Sequence, residues 1–122
     1  MKKILVVDDQ MEVRELVEVT LSIGDYEITQ VESGEKAIET ARDIIPDLII
    51  MDIMMPGGID GLEATRRIRE IPELKNSRII MLTAKGQKSD IQAGLDAGAE
   101  DYFIKPFSPL DLINKVESIL GS

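Results

Sequence analysis

The sequence predicts an α/β fold: a doubly wound (βα)5 sandwich built on a five-stranded parallel sheet of order 2-1-3-4-5. Three observations predict it. Strand-like and helix-like hydrophobic periods alternate along the whole chain. Three of the strand-like runs are apolar throughout, as strands covered on both faces are. Polar residues able to do chemistry stand at the ends of those runs, where an open parallel sheet places its site. The 122 residues fit one domain spanning 1–122, with roughly 6,500 Å² of folded surface by area scaling.

The elements follow in order. Ile4-Leu5-Val6-Val7 is a continuous apolar run and reads as the first strand. Val13, Leu16, Val17, Thr20 and Leu21 recur at helical spacing, and Tyr26 to Val31 alternates as a half-exposed strand does. Ala37, Ile38, Ala41, Ile44 and Ile45 form a second helical face, ended by Pro46. Leu48 to Met51 is the second buried run. A helix through Leu62, Thr65 and Ile68 follows and stops near Pro72. Ile79 to Leu82 is the third buried run, and Ile91, Gly94, Leu95 and Gly98 make a weaker helical face. Tyr102-Phe103-Ile104 is a short last strand. Ser108 suits the N-cap of the final helix, Pro109 its first position and Asp111 its first turn, ahead of Leu112, Ile113, Val116, Ile119 and Leu120. Gly121-Ser122 suits either the C-cap of that helix or a short remnant appended to the chain. Alternation of this kind predicts right-handed crossovers with helices on both faces. The all-apolar first, third and fourth strands belong in the centre, and the second and fifth at the edges.

Composition removes whole classes of chemistry. The chain has no Cys and no His, which excludes disulfides, thiolate nucleophiles, the Ser-His-Asp triad and most zinc sites. Against 23 Asp and Glu stand 14 Lys and Arg, a net charge of −9. Phosphate backbones repel such a chain, so direct nucleic-acid binding is not expected. No apolar run approaches the ~20 residues of a membrane span, and the strand-like start leaves no room for a signal peptide. The expectation is a cytoplasmic domain with no membrane association.

The strand ends are specific. The first strand ends in Asp8-Asp9, the third in Asp52, the fourth in Thr83 and the fifth in Lys105-Pro106. Each has an ordinary use: Asp9 or Gln10 as a helix cap, Asp52 as a turn residue, Thr83 as a cap, Lys105 as a solvated lysine, Pro106 as a strand stop. Together they place three carboxylates, a hydroxyl and an ammonium on one rim. Two carboxylates ~4 Å apart repel by roughly 4 kcal/mol at an effective dielectric of 20. Either one stays protonated or a cation sits among them. All-oxygen donors favour a hard ion such as Mg²⁺. With a lysine and a hydroxyl opposite, the residues suggest magnesium-assisted phosphoryl chemistry with an aspartate as nucleophile.

In this pattern the chain resembles the receiver domain of bacterial two-component response regulators, most closely the stand-alone chemotaxis-regulator type with its flavodoxin-like fold. The resemblance covers residues 2 to 120 and rests on Ile4 to Asp9, Pro46 to Pro56, Asp60-Gly61, Leu82-Thr83-Ala84, Gly94 to Asp101 and Lys105-Pro106-Phe107. It implies that Asp52 is the phosphoacceptor, taking a phosphoryl group from a sensor histidine kinase or a phosphotransfer protein. It implies Mg²⁺ bound by Asp9, Asp52 and the backbone carbonyl of Met54, with Asp8 acting through a water. Thr83 would donate to the phosphoryl group and Lys105 would pair with it, the Lys105–Pro106 bond being cis. Thr83 and Tyr102 would form the switch. The fourth helix, last strand and last helix would be the readout face for a downstream protein. The molecule would be a signalling switch, catalysing only its own phosphorylation and dephosphorylation, the latter slowed by Met54 and Lys85.

One feature departs from the family pattern. Pro56-Gly57-Gly58-Ile59-Asp60-Gly61 carries one residue more than is usual between the proline and Asp-Gly, which lengthens the loop after the third strand. Three other readings compete. A haloacid-dehalogenase-type phosphohydrolase would need Asp-x-Asp at the first strand, where the chain has Asp8-Asp9. A flavodoxin-like cofactor binder would need a Gly- or Ser/Thr-rich loop where the chain has acids. A receiver excised from a longer regulator would share the chemistry; the stand-alone form is expected because the last helix and the chain end together.

Overall fold

Strand burial dictates the layering of the computed structural model, which describes residues 1–84 and 88–121. The elements are β1 (Lys2–Val7), α1 (Met11–Leu21), β2 (Tyr26–Val31), α2 (Gly34–Ile44), β3 (Leu48–Asp52), α3 (Gly61–Arg69), a 3-10 turn (Pro72–Leu74), β4 (Arg78–Ala84), α4 (Lys88–Ala97), β5 (Asp101–Lys105) and α5 (Pro109–Leu120). The strands form one parallel sheet of order β2-β1-β3-β4-β5, as expected. The folded surface is 6455 Å².

Ile4 to Val7, Leu48 to Met51 and Ile79 to Leu82 are buried without interruption. Successive side chains alternate faces, so each run feeds two cores. Leu5, Val7, Ile49, Met51, Ile79 and Met81 meet Ala37, Ala41, Ala64 and Ile68 of α2 and α3 on one side. Ile4, Val6, Leu48, Ile50, Ile80 and Leu82 meet Val17, Leu21, Leu112 and Val116 of α1 and α5 on the other. The edge strands are less buried, β2 at only one residue and β5 at none.

Helix ends follow their local chemistry. The Ser33, Asp60 and Ser108 side chains accept from the amides three residues on, at the N-termini of α2, α3 and α5. Gly121 closes α5 at φ +68.

Some helical faces differ from the periodic reading. Leu16 and Leu95 are exposed rather than in the core, because the layer over the sheet is filled by Val17 and Leu21 on α1 and by Gly94 and Ala97 on α4. Gly98 lies past α4 at φ +120, packed against the stem of Arg69. The turn at Pro72–Leu74, which buries Leu74, has no periodic signal in so short a segment. Ile45 ends α2 in the left-handed region at φ 48, an uncommon place for a β-branched residue.

Candidate functional site

Register gathers the acids. Val7 pairs with Met51, so the next residues, Asp8 and Asp52, leave the sheet side by side at its carboxyl edge. Ala84 pairs with Lys105, which brings the lysine to the same edge from β5. Oxygens of Asp8, Asp9 and Asp52 lie within 4.8 Å of one another. Asp8 and Asp52 are buried and Asp9 is exposed. A cleft of about 240 Å³ opens beside them, lined by Asp9, Gln10, Asp52, Met54, Ala84 and Lys105.

The Lys105 ammonium neutralises part of this charge. It donates to Asp8 Oδ2 at 2.8 Å and to Asp52 Oδ1 at 3.2 Å. The Lys105–Pro106 bond is cis. Asp8 also accepts from the Gln10 amide at 2.9 Å, while its backbone carbonyl accepts from Arg14 Nη1 at 2.7 Å. Sequence reading passed over Arg14; a cation one turn into the helix that follows an acidic strand end was the available signal. Asp9 does not cap α1: Gln10 occupies the cap position and makes no side-chain cap bond. Thr83 does not cap α4 either, since it lies within β4.

Thr83 is 1% exposed, and its Oγ1 is the one buried side-chain polar atom without a hydrogen-bond partner among the described residues. Buried hydroxyls are normally satisfied, and this one is on the residue before Ala84, which lines the cleft, so it is a donor left over for a ligand acceptor. Tyr102 pairs in register with Met81 and packs on the core that contains it, the face of the sheet that Thr83 shares. Met54 stands at the cleft mouth, 67% exposed. Lys85 lies outside the described residues.

Burial and the charge of Asp8 push the Asp52 carboxyl up to about 6, Asp9 adds to the rise, and Lys105 offsets part of it. Burial works against the Lys105 ammonium, yet its bond to Asp8 and the charges of Asp52 and Asp8 hold its pKa above the usual lysine value. A carboxyl raised on folding stabilises the folded chain most below the unfolded pKa, near 4, and loses that contribution as pH rises through about 6. In metal-free protein at pH 7.5, Asp52→Asn is therefore expected to raise stability by about 1–3 kcal/mol. The gain should vanish near pH 4. Denaturant unfolding of both proteins at the two pH values checks this, and a pH-independent difference contradicts it.

Glycine at 61 is forced by this geometry. A Cβ there would sit 2.0 Å from the Asp52 carbonyl oxygen, in a backbone that also bonds Gly61 N–H to Ile53 O at 2.9 Å. Gly61→Ala is expected to cost roughly 2–3 kcal/mol in denaturant unfolding, as overpacking against an immobile group does. A midpoint equal to that of wild type contradicts it.

Comparison with known proteins agrees with this geometry. The family model of the response regulator receiver domain matches residues 4–117. The transcriptional regulatory protein ResD of Bacillus subtilis (strain 168) is 44% identical over 118 residues, which is 97% of this chain and 48% of ResD. The chain spans about half the length of the curated relatives it matches. Among solved structures, a protein from Chloroflexus aurantiacus J-10-fl named as a response regulator superposes with a TM-score of 0.93 at 40% identity, covering 99% of this chain and 98% of that one. The chemotaxis response regulator CheY4 of Vibrio cholerae gives 0.90 at 32% identity, with 98% of each chain covered. With the sheet order, the acidic rim and the match across residues 4–117 in agreement, the chain belongs to the response regulator receiver domain family.

Proposed function

We propose that residues 1–122 form one receiver domain in which Asp52 accepts a phosphoryl group from the phosphohistidine of a sensor histidine kinase or a phosphotransfer protein. One observation carries the reading: a buried carboxylate is gathered with two further carboxylates and an ammonium at the sheet edge where the adjoining strand ends in a buried hydroxyl without a partner among the described residues. An Asp52 oxygen attacks phosphorus, a P–O bond forms, the P–N bond to the donor imidazole breaks, and the imidazole leaves with the bonding pair. The chain needs no histidine of its own for this transfer.

The donors fit Mg²⁺. They are hard oxygens only, and the chain holds no imidazole or thiolate to favour a softer metal. Asp9, Asp52 and the Met54 carbonyl would hold the ion, with Asp8 reaching it through a water. When bound, the ion supplies positive charge against the repulsion of the acids and the incoming phosphoryl oxygens. Lys105 then exchanges its bond to Asp52 for one to a phosphoryl oxygen, its charge secured by Asp8. Thr83 donates its unused hydroxyl to the same group. Its displacement toward the phosphoryl group leaves space on the face it shares with Tyr102, and the tyrosine passes the change to the α4-β5-α5 surface.

Incubation with a small phosphodonor and Mg²⁺, read by intact mass, tests the reading. One phosphoryl increment that chelation abolishes is expected. Repeated phosphate release without an adduct would mark a phosphohydrolase instead. Tyr102→Ala is expected to accept the phosphoryl group normally while the amide shift changes that beryllium fluoride induces across α4 and α5 shrink. Shift changes of wild-type size would remove Tyr102 from the switch.

With a net charge of −9, the partners of this chain are proteins, one kinase or carrier upstream and one target downstream. Among the described residues no helix is long and apolar enough to cross a membrane. Transcriptional control is a property named for the longer relatives.

A further inference from the structure

The extended loop between β3 and α3 lies on the first turn of α2. Glu35 Oε2 accepts from the Ile59 amide at 3.0 Å, linking residues 24 apart in sequence. Loop and helix pack closely on both sides of that bond. A Cβ on Gly34 would stand 2.7 Å from Ile59 Cγ1, and one on Gly58 would stand 2.5 Å from Glu35 Oε2. Gly57 turns at φ +87. Glycine suits this approach at two positions, Gly57 for its positive φ and Gly34 for the room that Ile59 fills. At its other end the same loop is tied to the sheet, where Ile53 N–H donates to Leu82 O at 3.1 Å. Between these anchors lies Met54, whose carbonyl is one of the ligands assigned above. The residue that lengthens the loop adds chain freedom next to that ligand, and the carboxylate on α2 removes it.

We propose that Glu35 is a positioning residue for the phosphoacceptor site: by holding the Ile59 amide it fixes the lengthened loop so that the Met54 carbonyl stays in place for the metal. This rests on the Mg²⁺ site proposed for Asp9, Asp52 and Met54. Glu35 touches neither the metal nor the phosphoryl group, so its effect runs entirely through the loop backbone. Two local features support a carboxylate here. The Ile59 hydrogen bond, its own backbone amide and the nearby Arg67 charge hold the Glu35 carboxyl below the usual range, so it is a full acceptor at neutral pH. Its position in the first turn of α2 also suits a negative charge.

The test is calorimetric titration of metal-free protein with Mg²⁺, alongside hydrogen exchange of the Ile59 amide without metal. Glu35→Ala should bind Mg²⁺ roughly threefold to tenfold more weakly, the effect of one net hydrogen bond, and its Ile59 amide should exchange faster. Glu35→Gln keeps an acceptor oxygen and should stay within about twofold of wild type. Gly58→Ala displaces the carboxylate and should match Glu35→Ala, and combining the two should add no further loss. Wild-type Mg²⁺ affinity in Glu35→Ala, with or without faster exchange, overturns the proposal. Absence of saturable Mg²⁺ binding in wild type overturns the metal site itself and this inference with it.

Discussion

Asp52→Asn is expected to abolish phosphoryl acceptance outright, while Asp9→Asn leaves a residual reaction that high Mg²⁺ partly recovers. The difference follows from position. Asp52 is the central acid of the rim: buried, on the last residue of a strand whose register places it beside Asp8, and within reach of Lys105. An amide there lacks the nucleophilic oxygen, and no amount of metal replaces it. Asp9 is exposed and serves only as a ligand in the proposed scheme, so its loss weakens an affinity. Intact mass after incubation with a phosphodonor at increasing Mg²⁺ separates the two. Asp52→Asn carrying the phosphoryl increment on another residue at a rate near wild type would refute the assignment.

Lys105→Met is expected to act on stability and on function at once. Its ammonium side chain is 20% exposed and bridges two carboxylates whose side chains are 0% and 6% exposed. Removing one partner of a buried ion pair leaves charge without compensation, which costs about 3–5 kcal/mol where nothing else relieves it. Asp52 can take up a proton here, since its carboxyl already titrates at about 6. The loss should therefore be roughly 2–4 kcal/mol at pH 8 and smaller at pH 5. Mg²⁺ should restore part of it by binding the folded state alone. Phosphoryl acceptance should remain slow even at saturating Mg²⁺, because among the described residues no other cationic side chain lines the cleft. Equal stability at pH 8 with and without the ammonium would mean that the acids are not charged together.

Much of the fold was legible because the central strands carry it. Ile4 to Val7, Leu48 to Met51 and Ile79 to Leu82 are apolar at every position, and only burial on both faces explains that. The polar residues that break those runs are then at the rim, which makes Asp8, Asp52 and Thr83 visible in the sequence. Helical faces were less legible. Leu16 and Leu95 fit the period of an apolar stripe yet are exposed, since the width of sheet each helix covers is set by its neighbours and not by its own sequence. Contacts that join distant segments were not legible at all. Nothing in the α2 sequence announces that Glu35 reaches Ile59, or in α1 that Arg14 holds the Asp8 carbonyl. Both depend on register and loop path, which a single sequence does not encode locally.

The central claim is that Asp9, Asp52 and Met54 form one oxygen cage around a divalent ion beside the nucleophilic oxygen of Asp52. A crystal structure with Mg²⁺ and beryllium fluoride tests it most directly. The account predicts an ion ligated by the Asp9 and Asp52 carboxylates and the Met54 carbonyl, beryllium fluoride joined to Asp52, and Lys105 and Thr83 bonded to its fluorines. A cleft that stays empty under those conditions, or an ion held without Asp52, would contradict it.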